Sequence, residues 1–363
     1  MRVPAPVPVR VVGNGDCERL RQTAPRERVS ARSRRVDAAG YVQDLMMAPV
    51  TAAAATDPAA AVVQAAEAAA AERRSAGIED AVLVATTAAA HVYRGSWRSA
   101  PVGAVARPVA AKQVAPLVRA GPVSGAAMAE LEHEAAVLRA LPPHPHVVEF
   151  LDARPGLLVT GWMAGGTAAA LAHTLAASLA AGDTAAHAVT LCLLRQLAAA
   201  LAHLHAHGCV HGDVAARNVL LAASGTTQDR VHVRLGDFGQ AARLPPRSSS
   251  VTLPPDARLA VRWAAPEVLR HRRLSPAADV WGLGVVLWEL YAGGAVPYAS
   301  TPDTAAVLQS RLAGIAPPLA RPSACPAPIW DCAMRWLSVT PTRRGSAATA
   351  QRRLDRAAPL VML

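Results

Sequence analysis

A group of oxygen-bearing side chains follows one predicted helix and could hold a metal beside a nucleophile. Asp213 and Asn218 lie five residues apart in segment 211–218, which precedes the apolar run 219–221. On a tight loop these two residues can share one site, where the carboxylate faces a nucleophile and the amide oxygen helps hold a metal. Asp237 follows nineteen residues after Asn218, and its carboxylate is the hard ligand that Mg²⁺ prefers. These residue types suit phosphoryl transfer from ATP.

The same segments resemble the eukaryotic protein kinase domain, in its tyrosine kinase and tyrosine-kinase-like group. The segment 211–218 is similar to the catalytic loop H-R-D-x-x-x-x-N, and 237–239 is similar to the D-F-G magnesium loop. Five further landmarks are the V-A-I-K strand, its helical ion-pair partner, the A-P-E triplet, the D-V-W helix and a late arginine. They are matched by Val109-Ala110-Ala111-Lys112, Glu134, Ala265-Pro266-Glu267, Asp279-Val280-Trp281 and Arg344. Seven landmarks in order, over about residues 78–356, make the resemblance specific.

The rarest residue types of the chain fall at the positions that this resemblance needs. Lys112 is the only lysine among the 37 basic residues, and Asn218 is one of two asparagines. Both phenylalanines, Phe150 and Phe238, fall where the family stacks an internal apolar column. A chain that otherwise uses arginine has kept a compact ammonium where the family holds ATP phosphates.

The resemblance implies an ATP- and Mg²⁺-dependent protein kinase that phosphorylates a protein hydroxyl. The implied catalytic residues are Asp213, Arg217, Lys112 and Glu134, and the implied magnesium ligands are Asn218 and Asp237. Lys112, held by Glu134, orients the phosphates. Asp213 orients or deprotonates the substrate hydroxyl, and Arg217 neighbours that hydroxyl. ATP and a protein substrate are the implied partners, and the sequence leaves the oligomeric state open.

The resemblance also assigns an adenine pocket and a structural set. Val84, Val92 and Ala110 lie above the base and Leu220 below it. Thr160 guards the back pocket, and the backbone of Gly161, Trp162 and Met163 forms the hinge. The structural set comprises the apolar column His211, Phe238, Leu138 and Phe150, the ion pair Glu267 with Arg344, and Asp279.

Periodicity predicts a small strand-rich lobe with one helix, a short hinge and a larger helical lobe. The resemblance implies that these form an α+β, bilobal protein-kinase fold, with a small antiparallel-sheet N-lobe carrying one helix and a larger, mainly helical C-lobe. The N-lobe covers about 78–160, the hinge 161–166 and the C-lobe 167–360. Predicted strands cover 81–84, 91–93, 109–114, 147–151 and 157–160, and a helix follows the spacing of Met128, Leu131, Ala135 and Leu138 until Pro142-Pro143. Residues 1–77 are interpreted as a disordered or loosely helical Arg/Ala-rich extension, with an alanine helix over about 59–74.

Two departures from the family pattern bear on activity. The expected G-x-G-x-x-G loop reads Ala85-Thr86-Thr87-Ala88-Ala89-Ala90, which keeps backbone N–H donors but lacks glycine's conformational freedom. Gly212 replaces the arginine before the catalytic aspartate. A pseudokinase, acting as a nucleotide-binding or scaffold module, is therefore the alternative hypothesis. The triplet 211–213 also resembles aminoglycoside and choline phosphotransferases, which rank lower because they usually lack A-P-E and the D-V-W helix.

The identity of the phosphate acceptor stays open in the sequence. The run Ala215-Ala216-Arg217-Asn218 and the segment Val261-Arg262-Trp263 look like tyrosine kinase sequence. The stretch 91–97 looks equally like tyrosine-kinase-like enzymes, many of which phosphorylate serine or threonine. The interpretation is tyrosine kinase-type ancestry, with tyrosine and serine/threonine both retained as acceptors.

The bulk composition bounds the remaining function classes. A formal charge of +11 suggests nucleic-acid binding, but the sequence shows no patch of aromatic and basic residues and no known nucleic-acid recognition motif. Contact of the basic N-terminal extension with nucleic acid or membrane is therefore a disfavoured hypothesis. Five scattered cysteines without CxxC spacing favour a reducing compartment. With no signal peptide or membrane span recognised, the expected location is cytoplasmic.

Overall fold

The computed structural model describes residues 58–87, 90–98, 106–115, 124–222, 231–301, 303–313 and 319–361. Residues from Ala59 onward belong to one structural unit. Residues 1–57 of the predicted extension lie outside the described residues, as do Ala88 and Ala89 of the glycine-free loop.

A five-stranded antiparallel sheet builds the N-lobe, with strand order β1-β2-β3-β5-β4. The strands are β1 Ile78–Thr86, β2 Ala90–Trp97, β3 Arg107–Val114, β4 Phe150–Arg154 and β5 Leu157–Gly161. Along β3, Val109 and Ala111 are fully buried on one face, and Lys112 alternates onto the other. Lys112 lies opposite Val92 of β2 and Leu158 of β5, so a central strand carries it.

One predicted strand needs correction. Four of the five predicted runs lie inside the observed strands, but the run over 147–151 is wrong for its first three residues because β4 begins at Phe150. Val147 instead forms an isolated parallel bridge with Leu235, and the N–H of Val148 donates to the Leu235 carbonyl at 3.0 Å. These apolar residues belong to a connection towards the C-lobe, which has the same composition as a buried strand.

Two helices precede the C-lobe, α1 Pro58–Ser75 and α2 Ser124–Ala140. Helix α1 corresponds to the alanine helix predicted over 59–74. In α2, Leu131, Ala135 and Leu138 share one buried face, as their spacing predicted. The helix ends at Ala140, shortly before the two prolines that were expected to stop it.

Seven α-helices build the described part of the C-lobe. They are α3 Ala168–Ala180, α4 Thr184–Ala206, α5 Pro266–His271, α6 Pro276–Tyr291, α7 Thr304–Leu312, α8 Ala327–Trp336 and α9 Ala347–Ala357. The side chain of Asp183 caps α4 by accepting from Ala185 N–H at 2.9 Å. Helix α6 is buried nearly all round, because residues from every side of it are apolar. The predicted α+β, bilobal organisation is therefore confirmed.

The described part of the C-lobe also contains three short antiparallel strand pairs. They are β6 Cys209–Val210 with β9 Ala242–Arg243, β7 Val219–Leu221 with β8 Val233–Leu235, and β10 Val251–Thr252 with β11 Arg273–Leu274. A single turn of 3₁₀ helix, Ala216–Asn218, connects the catalytic-loop segment to β7. Arg217 and Asn218 lie in the 3₁₀ turn, Asp213 lies in the loop after β6, and Asp237 lies just after β8.

Helix α4 is the one described helix that is long and apolar enough to cross a membrane, judged by length and composition alone. However, 67% of its apolar stretch is buried inside the protein. Leu193, Leu197 and Leu201 on this helix have no solvent exposure. The helix therefore serves as the core of the C-lobe.

Candidate active site

Lys112 contacts carboxylates from two other elements. Its Nζ donates to Glu134 Oε2 at 2.7 Å and to Asp237 Oδ1 at 3.2 Å. Glu134 comes from α2 and is only 4% exposed. Burial opposes the charge on Lys112, but the two carboxylates outweigh it and raise the pKa of Lys112. Burial alone would raise the pKa of Asp237, and Lys112 reverses this and lowers it. Lys112 and Asp237 are therefore both charged at neutral pH.

The β7–β8 hairpin brings Asn218 and Asp237 to the same end of a strand pair. Val219 at the start of β7 lies opposite Leu235 at the end of β8. The residues just outside this pair are also joined, because the N–H of Gly236 donates to the Asn218 carbonyl at 2.9 Å. An antiparallel hairpin thus places the two predicted magnesium ligands beside each other, although nineteen residues separate them in sequence.

Asp213 is held by two neighbours in its own loop. Its Oδ1 accepts from Arg217 Nη2 at 2.6 Å, and its Oδ2 accepts from Asn218 Nδ2 at 2.9 Å. Asn218 Nδ2 also donates to the Asp213 carbonyl at 2.8 Å. Because the amide nitrogen of Asn218 is used in this way, its oxygen is the atom that remains for a metal ligand. The loop fixes the Asp213 carboxylate and orients the amide.

Asp279, from the buried helix α6, supports the backbone of this loop from below. Its carboxylate oxygens accept from His211 N–H at 2.8 Å and from Gly212 N–H at 2.9 Å. His205 Nε2 also contacts it at 2.8 Å. Asp279 is 1% exposed, so these hydrogen bonds are shielded from water. The predicted structural residue at 279 therefore lies directly under the catalytic-loop segment.

The D-F-G segment is joined to both lobes. The N–H of Phe238 donates to Glu134 Oε1 at 3.1 Å, so Glu134 binds Lys112 with one oxygen and this backbone with the other. Asp237 has a φ of 61°, a left-handed conformation that is uncommon outside glycine. Strain of this kind persists where the surroundings enforce it, and it aims the Asp237 carboxylate towards Lys112.

The predicted apolar column lies in one core. Phe238 is fully buried, and its ring meets the His211 ring edge-on with centroids 4.9 Å apart. His211 Nε2 donates to the Gly236 carbonyl at 3.1 Å. Leu138 is a member of the same core cluster, and the half-buried Phe150 packs against that cluster. The column therefore connects α2, β4 and the loop that carries Asp213.

The predicted adenine-pocket residues lie mostly on neighbouring positions of the N-lobe sheet. Ala110 pairs with Thr160, and Val92 pairs with Lys112. Val84 is 45% exposed on β1. Leu220 is half-buried and comes from β7 in the C-lobe. These residues approach the cleft from both lobes.

The hinge offers an unused hydrogen-bond donor. The N–H of Gly161 donates to the Glu149 carbonyl at 3.0 Å, and the N–H of Trp162 donates to the Pro108 carbonyl at 3.3 Å. Met163 is buried, yet its N–H has no partner within the part of the chain that the structure describes. This backbone donor is therefore available to a ligand, and a purine nitrogen is an acceptor that it could bind.

The two described ends of the glycine-free loop, Thr87 and Ala90, are hydrogen-bonded to each other. The N–H of Thr87 donates to the Ala90 carbonyl at 2.8 Å, and Thr87 Oγ1 contacts both the N–H and the carbonyl of Ala90 at 3.0 Å. Thr86 pairs with His91 immediately outside these two residues. The threonine hydroxyl is therefore used within the loop itself, at a position where the family pattern has glycine.

Glu267 and Arg344 form a buried, two-pronged ion pair in the C-lobe. Arg344 Nη1 and Nη2 donate to the two carboxylate oxygens of Glu267 at 2.6 and 2.8 Å. Arg344 is fully buried and also lies over the Trp281 ring, 5.0 Å from its centroid. The two residues are far from Lys112 in sequence and serve the scaffold.

Trp263 and Glu289, which lie near the loop of Asp213, were given no role from the sequence. The Arg217 guanidinium lies over the Trp263 ring, 4.3 Å from its centroid. Glu289 accepts from Ala216 N–H at 2.9 Å, and burial raises its pKa. Glu289 is the one glutamate in the apolar helix α6, and such an isolated acid is the signal that would have revealed it.

Comparison with known proteins agrees with this geometry. A family model described as protein tyrosine and serine/threonine kinase matches residues 82–354. The human non-receptor tyrosine-protein kinase TNK1 is 34% identical over 170 residues, covering 47% of this chain and 24% of the relative. Mouse TNK1 is 32% identical over 269 residues, covering 73% of this chain and 38% of the relative. The Drosophila melanogaster activated Cdc42 kinase Ack is 31% identical over 148 residues, covering 41% and 13% respectively.

The chain spans less than two fifths of the length of these relatives. The match covers both lobes and the residues discussed above, and it favours protein kinases over the small-molecule phosphotransferases that share the His-Gly-Asp triplet. The chain therefore belongs to the protein tyrosine and serine/threonine kinase family.

Proposed function

We propose that this chain is an ATP- and Mg²⁺-dependent protein kinase that transfers a phosphoryl group to a protein hydroxyl. The observation that carries the proposal is the convergence of four groups. The Lys112 ammonium touches Asp237, the β7–β8 hairpin joins Asp237 to Asn218, and Asn218 holds Asp213. These contacts support a site in which a cation, two candidate metal ligands and a candidate base come together where the N-lobe meets the C-lobe.

The residues present fit ATP and magnesium. Asp237 is 49% exposed in the cleft and the Lys112 side chain is 26% exposed, so both are accessible to a ligand. The Asn218 amide oxygen and the second carboxylate oxygen of Asp237 are hard donors, of the type magnesium takes. The unpaired Met163 N–H suits a base acceptor. When bound, ATP supplies the phosphoryl group, and magnesium neutralises charge on its phosphates.

The side chains of the chain would divide the work as follows. Lys112, fixed by Glu134, holds phosphate oxygens in place. Asp213 receives the proton of the acceptor hydroxyl on its carboxylate, and Arg217 stabilises the position of that carboxylate. Catalysis in such a site comes chiefly from positioning and charge stabilisation.

Tyrosine is the favoured acceptor. Two of the relatives described above are named as non-receptor tyrosine-protein kinases, and the third is named activated Cdc42 kinase Ack. In this chain, Arg217 and Trp263 form a flat, cationic wall beside Asp213, which suits an aromatic phenol. The non-receptor names of two relatives support an intracellular place of action. Matched peptides that differ only in tyrosine or serine test the acceptor.

The second candidate function is a pseudokinase that binds nucleotide or partners without efficient transfer. Two observations favour it: the glycine-free loop, whose Thr87 hydroxyl bonds within the loop itself, and Gly212 before the catalytic aspartate. The five positions that carry the phosphate, metal and proton chemistry, Lys112, Glu134, Asp213, Asn218 and Asp237, are nevertheless all occupied by the family's residue types. For this reason we favour an active kinase over a pseudokinase.

Transfer of radiolabel from ATP to a protein substrate discriminates the two. We expect Asp213→Asn to lower the transfer rate by about 100-fold or more, since it removes a proton acceptor from the site. Equal label incorporation by Asp213→Asn and the unmodified chain would leave the pseudokinase as the better account.

A further inference from the structure

Helix α1 lies N-terminal to the part of the chain that matches the kinase family, which begins at residue 82. It nevertheless packs on the N-lobe sheet. Ala69 is 2% exposed and Arg73 is 8% exposed, whereas Ala71 and Arg74 on the other side of the helix are exposed. One face of the helix is therefore buried against the sheet, although half of its 18 residues are alanine.

Gln113 of β3 is the polar centre of this contact. It is 1% exposed. Its Nε2 donates to the Ala69 carbonyl at 3.1 Å and to Glu72 Oε2 at 2.8 Å, and its Oε1 accepts from Arg73 Nη1. Every hydrogen-bonding atom of this buried amide is thus satisfied by helix α1, an arrangement that specifies one position of the helix on the sheet.

Further contacts fix the helix along its C-terminal half. The Arg73 guanidinium lies over the Tyr93 ring of β2, 3.8 Å from its centroid. Trp97 Nε1 donates to the Ala76 carbonyl at 3.0 Å, and Arg154 Nη1 donates to the Ser75 carbonyl at 2.9 Å. The helix is therefore attached to β2, β3 and β4.

The sheet face beneath these contacts is apolar. A core cluster separate from that of the C-lobe joins residues of the linker, β1, β3 and β5: Ala76, Ile78, Val109, Ala111, Leu157 and Val159. Their exposures are 4% or less. Gln113 lies on the same face of β3 as Val109 and Ala111, so helix α1 contacts the sheet on this apolar side.

Gln113 follows Lys112 directly, so the two side chains point to opposite faces of the same strand. Helix α1 is hydrogen-bonded to Gln113 on one face of β3, and Glu134 and Asp237 contact Lys112 on the other face. We propose that helix α1 is an integral part of the nucleotide-binding lobe, clamping β3 through Gln113 so that Lys112 keeps its position. The effect on Lys112 rests on the proposed function, whereas the docking of the helix does not.

Two arginine substitutions in the full chain test the clamp. Arg73→Ala removes the buried arginine, and Arg74→Ala makes the same chemical change on the exposed side of the same helix. Amide hydrogen exchange reports docking without any nucleotide. We expect Arg73→Ala to exchange about tenfold faster than Arg74→Ala in helix α1 and in β3, since a charged hydrogen bond and a cation–π contact are lost.

The transmitted effect appears in steady-state kinetics. For Arg73→Ala we expect an ATP KM about tenfold above that of Arg74→Ala. The change in kcat should be smaller, because Lys112 binds the ATP phosphates less well while Asp213 is unaffected. If Arg73→Ala fails to fold, Arg73→Lys against Arg74→Lys replaces the pair, with the same order expected.

The possible results distinguish three claims: the docking of helix α1, its effect on Lys112, and the kinase function. Equal exchange in the two variants of a pair overturns the clamp itself. Faster exchange confined to helix α1, with β3 and the ATP KM unchanged, overturns the coupling to Lys112. If the unmodified chain transfers no phosphate while exchange still differs between the variants, the helix docking stands and the proposed kinase function fails.

Discussion

Arg344 donates to both carboxylate oxygens of Glu267, and its side chain has no exposure to solvent. It also donates to the carbonyls of Ser338 and Ala277 at 2.8 and 2.9 Å. One arginine therefore ties the A-P-E segment to α6 and to the loop before α9. Partners of a buried pair depend on each other, because an unpaired buried charge is costly.

Replacing Arg344 should consequently destabilise the C-lobe. We expect Arg344→Met to lower the free energy of unfolding by about 3–5 kcal/mol, because Glu267 is left without its cation. Arg343→Met, at the exposed neighbouring position, should change it by less than about 0.5 kcal/mol. Urea unfolding followed by circular dichroism measures both, and similar values for the two variants would contradict the role given to the pair.

Gly212 should tolerate no side chain. Its φ is 79°, and a Cβ atom there would lie 2.7 Å from the Gln240 carbonyl oxygen. We expect Gly212→Ala to cost about 2 kcal/mol or more of stability, from the left-handed backbone and the clash together. Gly208→Ala has a similar φ of 66° and meets no atom within 4 Å, so it should cost about 1 kcal/mol. Thermal unfolding of the two variants compares them, and the reverse order would show that the loop can shift.

The glycine-free loop should respond to a glycine at the second position of the family pattern. Thr87→Gly removes the hydroxyl that bonds to Ala90 and frees the backbone N–H groups to approach phosphate. We expect the ATP KM to fall about fivefold, the equivalent of one added hydrogen bond. Thr86→Gly, one residue earlier and within β1, is the matched control and should leave the KM unchanged. Identical KM values for the two variants would show that the lost glycine does not limit nucleotide binding.

Five histidines form a continuous cluster beside the connection between α2 and β4. Successive ring centroids lie 4.4–5.6 Å apart along His207, His203, His144, His146 and His232. Burial, followed by the neighbouring His203 and His146, lowers the pKa of His144 to about 4. Burial is also the main cause that lowers the pKa of His146, to which His232 and Arg234 add.

This cluster predicts a loss of stability on mild acidification. A histidine whose folded pKa lies below its unfolded value stabilises the fold above about pH 6.5, and that contribution is lost as the pH falls towards the folded value. The unfolding temperature should therefore drop between about pH 7.5 and about pH 5.5, and His144→Gln should drop less. His271→Asn, an exposed histidine on another helix, should keep the full pH dependence. A pH dependence that is the same in all three proteins would place its origin elsewhere.

The sequence predicted the candidate site better than it predicted the surroundings of that site. Lys112 and Asn218 were recognisable because they match family motifs and their residue types are rare in this chain. Glu134 was recognisable because it lies in the following predicted helix, where the family has the ion-pair partner of the lysine. Asp279 was recognisable within an apolar helix. The roles of these residues stay predictions, although the structure brings the residues together.

Contacts between distant, ordinary residues could not be predicted in this way. Gln113 belongs to none of the motifs on which the resemblance rests, and an alanine-rich helix shows no face until it is packed. The attachment of this helix to β3 therefore left no pattern in the sequence. The histidine cluster combines residues spread between 144 and 232. Val147 was placed in a strand because an apolar run does not reveal which partner it pairs with.

The central claim is that Asp237 and its neighbours hold a magnesium–nucleotide complex beside Lys112. Thermal unfolding with a non-hydrolysable ATP analogue, with and without Mg²⁺, tests it most directly. At about 100 times the dissociation constant, the unmodified chain should gain about 2.7 kcal/mol, or roughly 5 °C, in the presence of Mg²⁺. Asp237→Asn should lose the magnesium-dependent part of this shift, and the exposed control Asp256→Asn should retain it. An equal shift with and without Mg²⁺ in all three proteins would contradict the assignment of the site.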